Sequence, residues 1–220
     1  MKNENITGGL KKLKQDLAGM TLREKGEHLW TYYRSWVIVA VAVVMVISIL
    51  CSSFINLTTN VLVAGASLNV TFQDDAKAYI TDGLKEQLTT GGSRETVAFE
   101  STYTTESLEE NYYLQQSMQA LIAGNDLDFV IIDKTGMDLL MTLDPFMDLR
   151  EVFTEEELEG FTVHNVQYEG NAAFPALIEI SDWDIVKNSG DKTFFFAVIG
   201  NTERLDAVKT AFAHLQNYGK

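Results

Sequence analysis

The sequence predicts an α/β protein, a three-layer sandwich with a mainly parallel mixed sheet, preceded by one transmembrane helix. Apolar runs of strand length alternate with amphipathic stretches of helix length from residue 61 onward, which is typical of α/β sandwiches. Residues 36–55 carry no charge, and at about 1.5 Å per residue they match a hydrocarbon core of roughly 30 Å. A hydrophobic content of 46 % is sufficient for a packed core.

The charge-free segment has three alternative interpretations. A buried helix that is apolar on every face is rare at this length. A cleaved signal peptide has a shorter apolar stretch, roughly 7 to 15 residues, and the cleavage-like residues Ala64–Ala66 lie in a predicted strand. A lipoprotein would carry its lipid on Cys51 and needs a small preceding residue, where Leu50 stands. We therefore expect an uncleaved anchor.

Flanking charge orients this anchor. Residues 1–34 hold seven Lys or Arg and residues 35–76 hold none, so the positive-inside rule places the N-terminus in the cytoplasm. The predicted organisation is a cytoplasmic basic tail (1–34), a transmembrane helix (35–56) and an extracellular α/β domain (57–220) of a single-pass cell-membrane protein. The expected partners are the lipid bilayer, through residues 36–55, and another membrane or cell-surface protein.

Composition excludes several classes of function. The outer domain holds 27 of the 31 acidic residues and 10 of the 17 basic ones, a net charge of about −17. Such a surface repels nucleic acid, which needs clustered Lys and Arg. The lone cysteine, Cys51, excludes an intrachain disulfide and a cysteine-pair zinc site. We predict no cofactor and no metal site.

The first part of the outer domain is predicted as strand, helix, strand. A β-rich run covers residues 61–72, a turn covers 89–93 and a second strand covers 95–102. Between the strands, Asp74 or Asp75 can cap a helix, because the apolar residues that follow recur every four positions. Those apolar residues are Ala76, Ile80, Leu84 and Leu88.

A helix and a buried strand come next. A capping box at Ser107–Glu110 opens the helix, and Gly124 and Asn125 end it. Its expected apolar stripe is Tyr113, Leu114, Met118, Leu121 and Ile122. The apolar run 127–132 is then a buried strand that ends at Asp133.

The last part predicts two short helices, a hairpin, a strand and a helix. Thr135 and Thr154 each begin a short helix. Residues 161–181 predict two strands joined by a turn, and residues 192–201 predict an apolar strand. The closing stretch 203–218 is an amphipathic helix.

Several segments resemble one known family. A small-Gly turn at Ala123–Asn125 precedes a strand with the run Asp128–Ile131, and a proline with an acidic-Leu pair follows at Pro145–Leu149. The endings "PALIEISDWDIV" and "FFFAVIGNTERLDAVKTAF" complete the pattern. Together they resemble type II periplasmic or extracellular solute-binding proteins of bacterial transporters over most of residues 61–216. The resemblance implies one α/β lobe of such a protein and a bacterial source.

The resemblance has one large departure. The family has two lobes that close on the ligand, and the second lobe should be inserted around residues 161–173, where this chain has room only for a hairpin. We therefore expect a single lobe that serves as a non-catalytic binding or interaction module. The alternative is a solute-binding or sensor component whose second lobe comes from a partner. An unrecognised enzyme is a weaker alternative.

Little in the sequence indicates catalysis. His28, His164 and His214 show no ligand spacing, and surface or satisfied histidines are expected. No phosphate loop, hydrolase elbow or zinc-protease motif is present, so we predict no enzyme and no catalytic residue. Asp182–Asp184 offers an acidic pair beside an aromatic platform, but packing of Trp183 under the sheet edge, with both aspartates in water, is the favoured interpretation. Tyr103, Tyr112 and Tyr113 offer rings for stacking on a sugar, but a core or rim position is favoured for them.

Fold rules place a binding site outside the carboxyl ends of the parallel strands. Asp74 and Thr135 have a competing role as helix caps. The residues selected in this way are Gln73, Asp74, Ser101, Thr102, Tyr103, Asp133, Lys134, Thr135, Asn201 and Thr202.

Overall fold

The chain divides into two compact units, Met1–Thr58 and Thr59–Lys220. A computed structural model describes residues 21, 30, 34–35, 37–51, 59–92, 94–105, 108–190 and 192–220. In the first unit, residues 37–51 are helical and every one of them is exposed. Among the described residues, no helix meets the length and apolarity that crossing a membrane requires. Residues 36 and 52–56 of the predicted span, His28 and Ser107 lie outside the described residues.

The second unit contains a single six-stranded sheet. Its strands in chain order are β1 (Asn60–Leu68), β2 (Glu95–Tyr103), β3 (Phe129–Asp133), β4 (Val163–Val166), β5 (Phe174–Glu179) and β6 (Phe194–Val198). Their spatial order is β2-β1-β3-β6-β5-β4. The expected hairpin is therefore present as β4 and β5, which pair antiparallel.

Strand direction divides the sheet into two halves. β1 pairs parallel with both β2 and β3, whereas β6 runs antiparallel to β3 and to β5. The sheet is mixed, as predicted, but three of its five neighbouring pairs are antiparallel, which makes it less parallel than expected. Consequently the carboxyl ends of β1, β2 and β3 share one end of the sheet, and the carboxyl end of β6 lies at the other.

Five helices of the second unit connect and cover the strands. Helix α1 has three consecutive parts, α-helical Asp74–Ala78, π-helical Tyr79–Gly83 and α-helical Leu84–Leu88. The others are α2 (Leu108–Ala123), α3 (Lys134–Leu140), α4 (Glu155–Leu158) and α5 (Leu205–Gln216). Short 3₁₀ turns occupy Met141–Leu143, Leu149–Glu151 and Lys187–Ser189.

The helix caps differ in part from those predicted. Thr154 caps α4 in a capping box with Glu157, as expected. The N-cap of α1 is Gln73, so the prediction that Asp74 or Asp75 caps it is wrong. The N-cap of α3 is Asp133, whose carboxylate accepts from the Gly136 N–H, and not Thr135. In the second case the strand ends at Asp133 as predicted, and the helix follows at once at Lys134, before Thr135.

Apolar side chains pack on both faces of the sheet. In β3, Phe129 and Ile131 join one cluster while Val130 and Ile132 join the other, as the period-two geometry of a strand requires. Helices α1 and α5 cover the first cluster, and α2 and α3 cover the second. The unit is thus a three-layer α/β/α sandwich. Tyr113 does not join the stripe of α2, because its side chain is 68 % exposed.

Candidate functional site

A pocket lies where the three parallel strands end. It has a volume of about 650 Å³, within the usual range of small-molecule sites. Its walls come from the ends of the three strands: residues 69–72 after β1, residues 101–105 at the end of β2, and Asp133 and Thr135 at the end of β3. Lys77, Ser189 and Lys192 complete the lining. Nearly all of these side chains are polar, so the pocket suits a hydrophilic ligand.

Asp133 is buried in the wall of this pocket. Its Oδ1 accepts hydrogen bonds from the Asn69 amide and the Gly136 N–H, both at 2.8 Å. Its Oδ2 lies 3.0 Å from the Lys192 ammonium. These three donors compensate the carboxylate for its lost hydration, and they join the ends of β1 and β3 to the segment before β6.

Asn69 organises the segment between β1 and α1. Its φ of 58° places it in the left-handed region, which Asn tolerates better than most residues. Its N–H donates to the Tyr103 carbonyl at 3.0 Å. Its side-chain amide accepts from the Thr105 N–H at 2.8 Å and donates to the Thr105 hydroxyl at 2.8 Å. The backbone therefore turns sharply here and fixes the end of β2 against the end of β1.

A second clamp joins Thr71, in the segment after β1, to Ser189. The Ser189 hydroxyl accepts from the Thr71 N–H and donates to the Thr71 carbonyl, both at 3.0 Å. These two residues are 118 positions apart in the chain. The clamp fixes the segment that carries Lys192 beside the segment that follows β1, so both walls of the pocket are preorganised.

Six polar groups in the pocket make no hydrogen bond or ion pair with any other described residue. They are the Lys77 ammonium and the hydroxyls of Thr71, Ser101, Tyr103, Thr104 and Thr135. The Thr71 hydroxyl is among them because Ser189 bonds only the backbone of Thr71. Burial, and to a smaller extent the negative charge of Glu100, raise the pKa of Tyr103, which keeps its phenol protonated at neutral pH. The walls thus carry free donors and acceptors on a fixed frame.

Half of the sequence-selected residues meet in this pocket. Ser101, Thr102, Tyr103, Asp133 and Thr135 line it. The Thr102 hydroxyl is already engaged by the Glu100 carboxylate at 2.6 Å. Gln73, Asp74 and Lys134 are exposed neighbours in sequence that do not line it.

Asn201 and Thr202 lie away from the pocket, because β6 runs opposite to β3. The Asn201 amide donates to the Ile122 carbonyl and to Asn125. The Thr202 hydroxyl donates to Asp128. Their selection as ligand contacts assumed a parallel return strand, so the structure places them at the other end of the sheet.

That other end is held by a buried ion pair. Asp128 is fully buried, and its carboxylate accepts from the Ala64 N–H at 2.6 Å and from the Arg204 Nε at 2.9 Å. The same guanidinium donates to the carbonyls of Val61 and Asn125 at 3.1 and 2.7 Å. One arginine therefore joins the start of β1, the turn before β3 and the turn after β6.

A smaller pocket of about 430 Å³ lies beside the segment before α4. Phe146, Met147, Tyr168 and Phe174 contribute to its lining. The Tyr168 hydroxyl accepts from the Phe146 N–H at 2.7 Å, and burial raises the pKa of Tyr168 to about 12. Charged and polar residues also line it, Asp148, Arg150, Glu151 and Asn171, and no residue of this pocket belongs to the sequence-selected set.

Other sequence candidates have structural roles. Trp183 packs against the rings of Phe161 and Phe212, as expected. His214 is buried, with Nε2 2.8 Å from the Tyr79 carbonyl and its ring stacked on the Tyr79 ring. His164 lies 3.0 Å from a Glu179 carboxylate oxygen. Within the described residues, no three His, Cys, Asp or Glu side chains are grouped as metal ligands would be.

Sequence reasoning missed Asn69, Lys77, Thr104, Thr105 and Lys192. Lys192 meets Asp133 across 59 positions of sequence, and no local pattern signals that contact. An Asn directly after a β-rich run is a recognisable turn signal, and Asn69 could have been selected on that ground. Thr104 and Thr105 extend the selected run 101–103 by two hydroxyl residues.

Comparison with known proteins gives no match. No protein-family model matches the chain, no curated protein matches it, and no solved structure matches it. The resemblance to solute-binding lobes therefore stays a prediction. The chemistry of the pocket itself is the basis for assigning a function.

Proposed function

We propose that this protein is a single-pass, membrane-anchored, extracytoplasmic binding module without catalytic activity, and that its ligand site is the polar pocket. The observation that carries the proposal is the convergence of β1, β2 and β3 on that pocket, with free polar groups on a fixed frame. Ligands of open α/β sheets bind at this position. The resemblance to solute-binding lobes supports the same proposal.

The first unit supports the anchor. Residues 37–51 form a helix whose side chains are all exposed, and its large apolar residues, from Val37 to Leu50, are between 42 % and 65 % exposed. An exposed helix without charge favours lipid over water. Seven basic residues precede it and residues 35–76 hold no Lys or Arg, which favours an N-terminus in the cytoplasm.

A second candidate is a solute-binding or sensor component whose pocket is closed by a partner chain. It is favoured by the exposure of Thr102, Thr104 and Thr135, which leaves one side of the pocket open to solvent. A half-open site buries less of a small ligand than a closed one and binds it more weakly. A second chain over that opening would complete the enclosure.

Thermal unfolding of residues 59–220 with sugars, amino acids, short peptides and divalent ions tests ligand binding. A ligand at about 100 times its Kd adds roughly 2.7 kcal/mol, or about 5–10 °C for a domain of this size. Thr104→Trp fills the pocket and should abolish the shift. The matched control Thr162→Trp makes the same change at an exposed residue outside the pocket. A shift that survives Thr104→Trp contradicts the assignment of the site.

The anchor and its direction are tested by thiol labelling. In a Cys51→Ser background, Lys12→Cys reports on the tail and Glu169→Cys on the exposed turn before β5. A membrane-impermeant maleimide should label position 169 in intact cells and position 12 only after lysis. Labelling of position 12 in intact cells, or release of the chain by alkaline carbonate, would overturn the proposed topology.

A further inference from the structure

We infer that the pocket takes a small polyhydroxylated anion, whose carboxylate or phosphate group is bound by the Lys77 ammonium. The inference rests on the proposed function, because it names the ligand class of the same site. It adds a charge requirement that the fold alone does not impose. Three observations support it: the local charge, the free groups and the pocket volume.

The charge of the pocket is opposite to that of the domain. Residues 59–220 carry a net charge of about −17. The pocket, however, is lined by two lysines, Lys77 and Lys192, and by a single carboxylate, Asp133. An acidic surface repels anions at long range, and its effect is screened within about 10 Å at ordinary salt. A positive group in the pocket of such a domain therefore attracts an anion only at short range, once the anion has entered the pocket.

The two lysines are not equivalent. Lys192 lies 3.0 Å from the Asp133 carboxylate and neutralises it. Lys77 is half-buried in the wall, and its ammonium has no hydrogen bond or ion pair to any other described residue. A half-buried ammonium without a counter-ion gains more from an arriving anion than one exposed to bulk water does. Lys77 is therefore the cation available to the ligand.

Asp133 does not compete for Lys77. Both of its carboxylate oxygens are occupied, Oδ1 by the Asn69 amide and the Gly136 N–H, and Oδ2 by Lys192. The unsatisfied charge in the pocket is thus positive. An incoming oxyanion meets free donors rather than a free carboxylate.

The free hydroxyls define the rest of the ligand. Ser101, Tyr103, Thr104 and Thr135 each offer a hydroxyl that can both donate and accept. Such groups match the hydroxyls of a sugar or polyol better than an apolar body. A volume of about 650 Å³ holds a molecule of monosaccharide or disaccharide size. A sugar acid and a sugar phosphate share this chemistry.

The test is calorimetric titration of the full chain in phosphatidylcholine nanodiscs with glucuronate, glucose 6-phosphate and glucose. The variant is Lys77→Gln. Its control is Lys85→Gln, which removes the same charge from the same helix at an exposed position outside the pocket. Far-UV circular dichroism of each variant verifies that helix α1 is retained.

At least one of the two anions should bind. Glucose should bind at least about tenfold more weakly than that anion, or not at all. Lys77→Gln should weaken the affinity for the anion by about 10-fold to 100-fold, as expected for loss of one charge-assisted contact. Lys85→Gln should leave that affinity unchanged. Preference for glucuronate identifies a carboxylate ligand, and preference for glucose 6-phosphate identifies a phosphate ligand.

Two results would overturn the inference. Glucose that binds as tightly as both anions, with no effect of Lys77→Gln, refutes the charge requirement but leaves the pocket as a binding site. No binding of either anion, nor of inorganic phosphate at millimolar concentration, refutes an anion site. The proposed function is a separate question. It also fails only if no neutral ligand of the thermal panel raises the melting temperature in a way that Thr104→Trp abolishes.

Discussion

The two ends of β3 carry the same residue type in opposite circumstances. Asp128 precedes the strand, and its carboxylate accepts from the Ala64 N–H, the Thr202 hydroxyl and the Arg204 guanidinium. Asp133 closes the strand and lines a pocket in which one ammonium and five hydroxyls have no partner among the described residues. At one end of the sheet, the locked end (residues 125–128 and 201–204), side chains hold chain segments together. The other end, the pocket end, is the proposed ligand site.

The difference shows that a buried carboxylate does not by itself mark a function. Both aspartates are buried and both pair with a cation. What separates them is the exposure of the cation, 28 % for the Arg204 side chain and 52 % for Lys192, and the presence of free neighbours. Variants at the two ends should therefore affect different properties of the protein.

The largest effect is expected at the locked end. Asp128→Ala leaves Arg204 partly buried without its carboxylate and removes the acceptor of the Ala64 N–H. Loss of one partner of a buried ion pair costs about 3–5 kcal/mol. Urea unfolding of residues 59–220 measures the change. The control Glu203→Ala, at an exposed neighbour, should stay within about 0.5 kcal/mol. A cost near that of the control would show that the ion pair does not hold this end.

A smaller loss is expected at the pocket end. Asp133→Ala removes the cap of α3, while the exposed Lys192 can turn to water. We expect a cost of about 1–3 kcal/mol in urea unfolding, from the lost cap and the unmade hydrogen bonds. Asp138→Ala, at an exposed position of the same helix, is the control. A loss equal to that of Asp128→Ala would remove the distinction between the two ends.

Acid should act on the locked end through Glu95, at the start of β2. Hydroxyls of Thr89 and Thr90, with the backbone N–H groups of Thr90 and Gly92, lower the pKa of Glu95 from 4.5 to about 2. Folding thus favours the ionised carboxylate, and this contribution is complete above pH 4.5 and lost as the pH falls toward 2.

The measurement is the urea midpoint of wild type and Glu95→Gln at pH 7, 4.5 and 3. The stability difference between the two proteins should shrink as the pH falls, because the glutamine lacks the titrating group. Other carboxylates contribute equally to both proteins and cancel. A difference that is independent of pH would show that Glu95 titrates alike in the folded and unfolded chain.

The smallest effect is expected at Ser67, one residue before the end of β1. Its hydroxyl is buried without a hydrogen-bond partner among the described residues. Because an unsatisfied buried hydroxyl is unfavourable, Ser67→Ala should leave stability unchanged or raise it by about 1 kcal/mol. The exposed Ser117→Ala serves as control. A clear loss of stability at Ser67 alone would mean that the hydroxyl is satisfied, and that the strand has a polar role there.

Local sequence patterns predicted most of the elements. The four-residue apolar spacing after Asp74 gave α1, the run 127–132 gave β3, and residues 161–181 gave the hairpin β4 and β5. The capping box at Thr154 is present as expected. These features depend on contacts between residues close in sequence. Hydrophobic periodicity and turn residues are the sequence signals of such contacts.

Local sequence patterns did not predict strand direction or long-range contacts. The apolar run of β6 has the same pattern whether it pairs parallel or antiparallel with β3. Assuming a parallel pairing placed Asn201 and Thr202 at the pocket end. Lys192 meets Asp133 only through the chain reversal before β6. The part of the site on β2 and β3 was therefore predictable, and the cations that give the pocket its charge were not.

The most direct test of the account is an NMR titration of residues 59–220 with glucuronate and with glucose 6-phosphate. Amide shifts should concentrate at residues 69–72, 101–105, 133–135 and 189–192. Residues 125–128 and 201–204, at the locked end, should stay unchanged. Shifts centred on that locked end, or none at either end, would contradict the claim that one end of the sheet joins chain segments and the other binds a ligand.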